Sequence, residues 1–313
     1  MTNRLRFAIM GSGGVGGYFG GRLAQAGFDV SFIARGAHLA AMRERGLRLD
    51  SPFGDARIEP VRATDDPAEI GPVDYVLFAT KLWDTESAGE ACRPLIGPET
   101  AVISLQNGVD AEDRLARILG AGHVMGGVAA ISAVIGAPGV IDHLGDFARI
   151  LFGELNGDRT ARGERLMAAL DEAVIDATMA DDIGKTIWNK FIFLVGLSAL
   201  TSVTRKTIGP VREDPDCRAL LARVVAETVA VARARGIALD ADSEAERLAF
   251  LDNLPAAMTS SMAGDLARGN RLELDWLSGA VVRMGRELGV DTPANDFINT
   301  ALKLSAAGDG GGA

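Results

Sequence analysis

Apolar positions along the chain follow two different rhythms. Up to Asp181, short continuous apolar runs alternate with helical stretches; beyond it, strand signals fade and three- and four-residue spacing takes over. Arg4 to Met10 predicts a strand, Val15 to Ala26 a helix that stops at Gly27, and Asp29 to Ala34 a second strand, together one βαβ unit. Tyr75 to Ala79 and Val102 to Leu105 are short, strongly apolar runs, as expected of parallel strands buried on both faces. Between Val124 and Phe152 the pattern becomes β-rich, broken at Pro138-Gly139 and Gly145-Asp146, which predicts an antiparallel extension. A helix over Glu164 to Ala173 and a strand over Val174 to Met179 close this part. Leu220, Leu221, Val224, Val225, Thr228, Val231 and Ala232 then mark an amphipathic helix, and Asp275 to Leu288 and Pro293 to Leu304 read alike. The expected organisation is an α/β domain over residues 1–181 and an all-helical domain over 182–313, with Ala306 to Ala313 as a frayed end.

Composition narrows the function classes. With 48% hydrophobic and 24% charged residues, the 313-residue chain has ample material for a buried core. Its 42 acidic and 32 basic residues leave a net charge of −10, which argues against a duplex nucleic-acid binder. Cys92 and Cys217 form no CxxC pair, so a reducing compartment fits and a cytoplasmic location is expected. His38, His123 and His143 share no metal-ligand spacing, and no metal is expected. Met1 to Met10 does not read as a secretory signal. Phe191 to Leu200, the longest apolar run, is too short to span a bilayer, so no membrane partner is expected. The apolar, glycine-poor helical half offers a surface for a homodimer. Paired carboxylates at Asp65-Asp66 and Asp181-Asp182 precede helical segments and read as caps rather than acid–base groups. Trp188 and Trp276 read as core.

Glycine changes the picture. It supplies 38 residues, and seven of them lie between Gly11 and Gly21. Gly11-Ser12-Gly13-Gly14-Val15-Gly16 matches G-x-G-x-x-G, placed after a strand and opening a helix. In that setting Gly11 permits a tight turn, Gly13 lets backbone approach a pyrophosphate, and Gly16 allows close helix–strand packing, while the first helical amides meet phosphate charge. The first domain is therefore expected to be a Rossmann-type dinucleotide-binding domain. The second strand ends at Arg35, where an acidic residue would suit the ribose of NAD and an arginine suits a 2′-phosphate, so NADP is the expected cofactor.

The chain resembles the ketopantoate reductase (2-dehydropantoate 2-reductase) family across nearly its whole length. The matching segments are the glycine loop with Arg35, Ala79-Thr80-Lys81-Leu82-Trp83, Leu105-Gln106-Asn107-Gly108, Trp188-Asn189-Lys190-Phe191, and Ser260-Ser261-Met262-Ala263-Gly264-Asp265 followed by Glu273. The resemblance implies reduction of the ketone of a branched 2-oxo acid with NADPH, in pantothenate biosynthesis. It makes Lys190 the counterpart of the catalytic lysine, stabilising alkoxide charge and donating the proton; read alone, Lys190 is a solvated helix residue. Glu273 corresponds to the acidic residue that contacts substrate and Ser261 to the serine that holds the substrate acid. A straight helix would set these two ~18 Å apart, so Arg268-Gly269-Asn270 is expected to break it. Ser261 reads equally as a helix-start cap among Thr259, Ser260 and Ser261. Asn107 is implied beside nicotinamide and substrate, against a plain turn role for Asn-Gly, and Lys81 near cofactor and substrate.

One departure bears on the substrate. The family commonly carries asparagines four and eight residues after its catalytic lysine; here these positions hold Leu194 and Ser198. On a helix both share a face with Lys190, and leucine cannot hydrogen-bond a substrate hydroxyl. The expected substrate is ketopantoate or a related 2-oxo acid, with a less hydroxylated acid favoured if Leu194 lines the pocket; Leu194 reads equally as core packing, with another group reaching the hydroxyl. Two other readings fit the same plan: an NADPH-binding sensor without turnover, and a related dehydrogenase of 3-hydroxy acids or amino-acid conjugates. Lys190 together with Glu273 favours the reductase, because a sensor needs no proton donor.

Overall fold

A computed structural model of the chain describes residues 4–309, which divide between Thr186 and Ile187 into two compact units. The first holds strands β1 (Arg6–Met10), β2 (Asp29–Ile33), β3 (Leu47–Asp50), β4 (Ala56–Ile58), β5 (Arg62–Thr64), β6 (Tyr75–Phe78), β7 (Ala101–Ser104), β8 (Val124–Ala137), β9 (Val140–Gly153) and β10 (Asp176–Met179). Its helices are α1 (Gly14–Gln25), α2 (Gly36–Arg45), α3 (Thr85–Ala91), α4 (Ala111–Leu119) and α5 (Ala161–Glu172). They belong with one mixed sheet of order β4-β3-β9-β8-β7-β6-β1-β2-β5, with β10 beside β9. From β5 through β2, β1, β6 and β7 to β8 all pairings are parallel.

Alternation along β1 explains why it reads as one apolar run. Phe7 and Ile9 point to one face with Tyr75, Leu77 and Ile103, and meet Phe19 and Leu23 of α1. Ala8 and Met10 point to the other with Val76, Phe78 and Val102, over Ala88 and Leu115. Both faces are covered, so neither set of alternating positions is polar.

The α/β architecture followed by a helical unit agrees with the sequence pattern, and three details differ. Gly145-Asp146 is not a turn: it lies within β9, where pairing jumps from Ile131–Ala148 to Ala133–His143 and the intervening residues bulge out. Gly145, at φ +96°, supplies that kink. The hairpin turn falls at Pro138-Gly139 alone. Helix α2 and strands β3 to β5 were not foreseen. The expected fraying also fails in part: Ala306 accepts from the Leu272 amide and the Asp309 amide donates to Gly269, both at 2.9 Å. Residues 310–313 lie outside the described residues.

The second unit is helical throughout its described residues: most of α6 (Ile183–Thr204), then α7 (Ile208–Glu213), α8 (Pro215–Ala234), α9 (Ser243–Asp252), α10 (Ser261–Ala267), α11 (Ser278–Leu288) and α12 (Pro293–Leu302). The apolar run Phe191–Leu200 extends into a 22-residue helix that by length and composition alone could cross a membrane, contrary to the expectation from the run itself. In this fold 67% of its apolar window is buried. Asp182 accepts from the Lys185 amide at α6's start, and Asp66 from Ala68, as caps do. Trp188 is core, packed edge-on against Phe191, whereas Trp276 is only half-buried beneath the Arg271 guanidinium.

Candidate active site

The cofactor-site residues read from the sequence lie at the carboxyl ends of four neighbouring parallel strands. The chain leaves β1 toward β2 on one side and later returns to β6 on the other, so the topological switch point lies between β1 and β6, where ligands bind in open α/β sheets. The glycine turn follows β1, Arg35 follows β2, Lys81 follows β6 and Asn107 follows β7.

The turn's glycines divide the work between them. Gly11 sits at φ +92°, and a Cβ there would lie 2.8 Å from the Thr80 amide nitrogen in the segment after β6. A Cβ on Gly16 would strike the Gly11 carbonyl and come within 2.9 Å of Ile9 Cγ2, so α1 can lie close on β1 only without one. Gly14 is likewise required by the backbone of Ala133 in β8. At Gly13 the Cβ direction is open, with no heavy atom within 4 Å. Gly13 is also α1's N-cap and offers no side chain to it, so Gly14, Val15 and Gly16 begin the helix with uncapped amides. That open space before a helix N-terminus fits a pyrophosphate. The Ser12 hydroxyl and amide both donate to the Ile33 carbonyl, 3.0 and 3.1 Å, fastening the turn to the end of β2.

Arg35 is the N-cap residue of α2 and exposed. Lys81 is exposed too, its Nζ 5.6 Å over the Trp83 ring. Asn107 is half-buried in the bend after β7. A residue with no assigned part in the sequence reading holds these segments together. Buried Gln106 donates from Nε2 to the Thr80 carbonyl at 3.0 Å and to Thr85 Oγ1 at 2.9 Å, joining the stretches that carry Asn107 and Lys81. A buried glutamine directly after a parallel strand was the available signal. Glu112, buried in the first turn of α4, was also missed; burial pushes its carboxyl up to about 8.

In the second unit Lys190, Leu194 and Ser198 follow one another at four-residue intervals on α6 and so share a face. Ser198 is buried and Leu194 half-buried. Burial pushes the Lys190 ammonium down to about 8, and the Glu273 carboxylate acts the other way, favouring the charged form. Glu273 is itself buried and precedes the short turn Leu274–Trp276. Helix α10 does end at Ala267, and Gly269 at φ +69° turns the chain. Asp265 ties that turn down, accepting from Arg268 Nη2 at 2.9 Å and Asn270 Nδ2 at 3.1 Å. The helix-start cap is Ser260, whose Oγ accepts from the Ala263 amide and lies 3.0 Å from Thr201 Oγ1 of α6. Ser261 is therefore not the cap; it is exposed at the first helical position.

Sheet order, switch point and glycine turn define the dinucleotide-binding α/β class. Within that class the relatives are specific. A family model described as Ketopantoate reductase PanE/ApbA matches residues 7–157, and its C-terminal companion matches residues 182–306. The chain is 32% identical to a 2-dehydropantoate 2-reductase of Halobacterium salinarum, over 96% of this chain and 99% of that protein. Identity to a 2-dehydropantoate 2-reductase of Mesorhizobium japonicum is 30%, over 96% and 98%. The crystal structure of a PanE/ApbA family ketopantoate reductase from Ralstonia eutropha superposes with a TM-score of 0.88 at 34% identity, covering 96% of this chain and 98% of that one. The chain belongs to the ketopantoate reductase family, and is an oxidoreductase of the kind that reduces 2-oxo acids with a nicotinamide dinucleotide.

Proposed function

We propose that this protein reduces the ketone of a 2-oxo acid to the 2-hydroxy acid with NADPH, with Lys190 as general acid. The observation that carries this reading is half-buried Lys190, whose ammonium burial pushes down to about 8 against the opposing charge of Glu273. When bound, the reduced nicotinamide supplies hydride to the carbonyl carbon. The carbonyl oxygen then gains negative charge, which the Lys190 ammonium stabilises before giving up its proton to form the hydroxyl. Burial lowers the affinity of Lys190 for that proton, so donation is easier than from a solvated lysine, while Glu273 keeps the amine charged near neutral pH. Glu273 and Ser261 are assigned to the substrate, with Asn107 and Lys81 beside cofactor and substrate.

The first unit's turn, Gly11 to Gly16, is assigned the pyrophosphate and Arg35 the 2′-phosphate, which makes NADPH rather than NADH the reductant. Leu194 and Ser198 sit on the Lys190 face of α6, so the preferred acid carries an apolar group where ketopantoate carries its hydroxyl. The test is oxidation of NADPH and of NADH with a panel of 2-oxo acids, repeated with Lys190→Ala. The variant is expected to lose ~10²- to ~10⁴-fold in kcat, and wild-type kcat/KM to fall as pH rises through about 8, where Lys190 loses its proton. Unchanged turnover in Lys190→Ala removes the assignment.

A further inference from the structure

Glu273 is presented by a stretch with little regular structure of its own. Between the end of α10 and the turn at Leu274, residues 270–273 belong to no helix or strand, although both Leu272 and Glu273 are buried. A carboxylate that must face an ammonium from such a stretch needs its backbone held from outside. One hold is Asp265, through Arg268 and Asn270. The other comes from the segment that follows α12. The Leu272 amide, one residue before Glu273, donates to the Ala306 carbonyl at 2.9 Å, and the Asp309 amide donates to the Gly269 carbonyl at 2.9 Å. Gly308 seals the contact. At φ +73°, a Cβ on it would lie 2.6 Å from the Gly269 oxygen, 2.8 Å from the Asn270 carbonyl carbon and 2.9 Å from the Arg271 nitrogen. No side chain fits there without moving the stretch beneath.

We propose that Ala306–Asp309 is a strap that positions Glu273 against Lys190 by clamping Gly269 to Leu272. The inference rests on the proton-donor reading of Lys190, and it makes the strap a positioning element that touches neither substrate nor cofactor. Loosening it lets the carboxylate drift from the amine, which costs the pair its alignment while leaving the surrounding helices folded.

The test uses the full chain with Gly308→Val, and Gly289→Ala as control. Gly289 is also left-handed, at φ +69°, but a Cβ there meets nothing within 4 Å, so it reports generic backbone strain. Gly308→Val is expected to lower kcat/KM for the 2-oxo acid by ~10- to ~100-fold, the size of effect that a small misplacement of a catalytic partner produces. KM for NADPH should be unchanged. The decisive readout is the pKa of Lys190, followed by carbon NMR of labelled lysine. Glu273 is the charged group that holds it up, so Gly308→Val should lower it in the same direction as Glu273→Gln, and Gly289→Ala should not. Should Gly308→Val fail to fold, Asp309→Pro, which removes the amide bond to Gly269 together with the Asp309 side chain beside it and stiffens the backbone there, is read the same way. A folded strap variant with wild-type Lys190 pKa and wild-type kinetics overturns the proposal. A wild-type protein inactive on every 2-oxo acid overturns the proton-donor reading instead, and the NMR comparison still decides whether the strap places Glu273.

Discussion

At the scale of single residues, Lys190 and Leu194 stand one helical turn apart on α6, and the proposed function gives chemistry to the first and selectivity to the second. As the proposed general acid, a lysine brought to about 8 serves any 2-oxo acid, so Lys190 alone says nothing about which acid is used. Leu194 does. It offers no donor or acceptor, and a hydroxyl brought against it loses its bond to water without replacement, a penalty of ~1–3 kcal/mol. Leu194→Asn restores an amide at that position. The variant is expected to raise kcat/KM for ketopantoate relative to a matched 2-oxo acid without the hydroxyl by ~10-fold or more. Parallel kinetics on the two acids check this, and an unchanged ratio would place Leu194 in the packing of α6 rather than in the pocket.

Elements differ in how much of them the residues announce locally. Helix α1 and strands β1, β2, β6 and β7 were legible because each buries a continuous or periodic apolar set. Strands β4 and β5 have three residues each and β3 reads Leu-Arg-Leu-Asp, so their pairing comes from neighbours rather than from pattern. Gly145 looked like a turn because a glycine kink inside a strand and a glycine at a strand's end have the same local chemistry. The site shows the same limit: the glycine turn was local and readable, whereas Gln106 reaching Thr80 and Thr85, and the strap at Ala306–Asp309, are contacts between distant segments. Within the turn, two glycines make the element's logic testable. Gly16→Ala puts a methyl into the Gly11 carbonyl, so α1 must lift from β1, and a loss of ~1–3 kcal/mol is expected. Gly13→Ala meets open space at φ −75° and should leave Tm almost unchanged while raising KM for NADPH. Thermal denaturation beside cofactor titration separates the two; equal loss of stability in both would contradict the assigned roles.

At the scale of the whole molecule, net charge and buried charge pull stability in the same direction as pH rises. The chain carries −10 at pH 7, and acidic self-repulsion grows with each carboxylate that ionises. Glu112 adds a specific term. It lies in the first turn of α4, with Asp110 and Asp113 beside it, and burial first, then these neighbours, raise its pKa to about 8 from an ordinary 4.5. The folded protein therefore keeps a proton on Glu112 that the unfolded chain has already released. Below pH 4.5 both states hold that proton and the penalty vanishes. Between 4.5 and about 8 the folded state binds more protons than the unfolded one, so stability falls with rising pH; above about 8 both are ionised and the loss levels off. Glu112→Gln preserves size and hydrogen-bonding capacity without a charge to bury, so its stability should decline less over that window than the wild type's, with the two alike near pH 4.5. Because the penalty is on the order of several kcal/mol for a fully buried carboxyl, the difference should appear as a clear divergence in Tm between pH 5 and pH 8. Parallel Tm profiles for the two proteins would mean that Glu112 ionises as readily in the folded state as out of it.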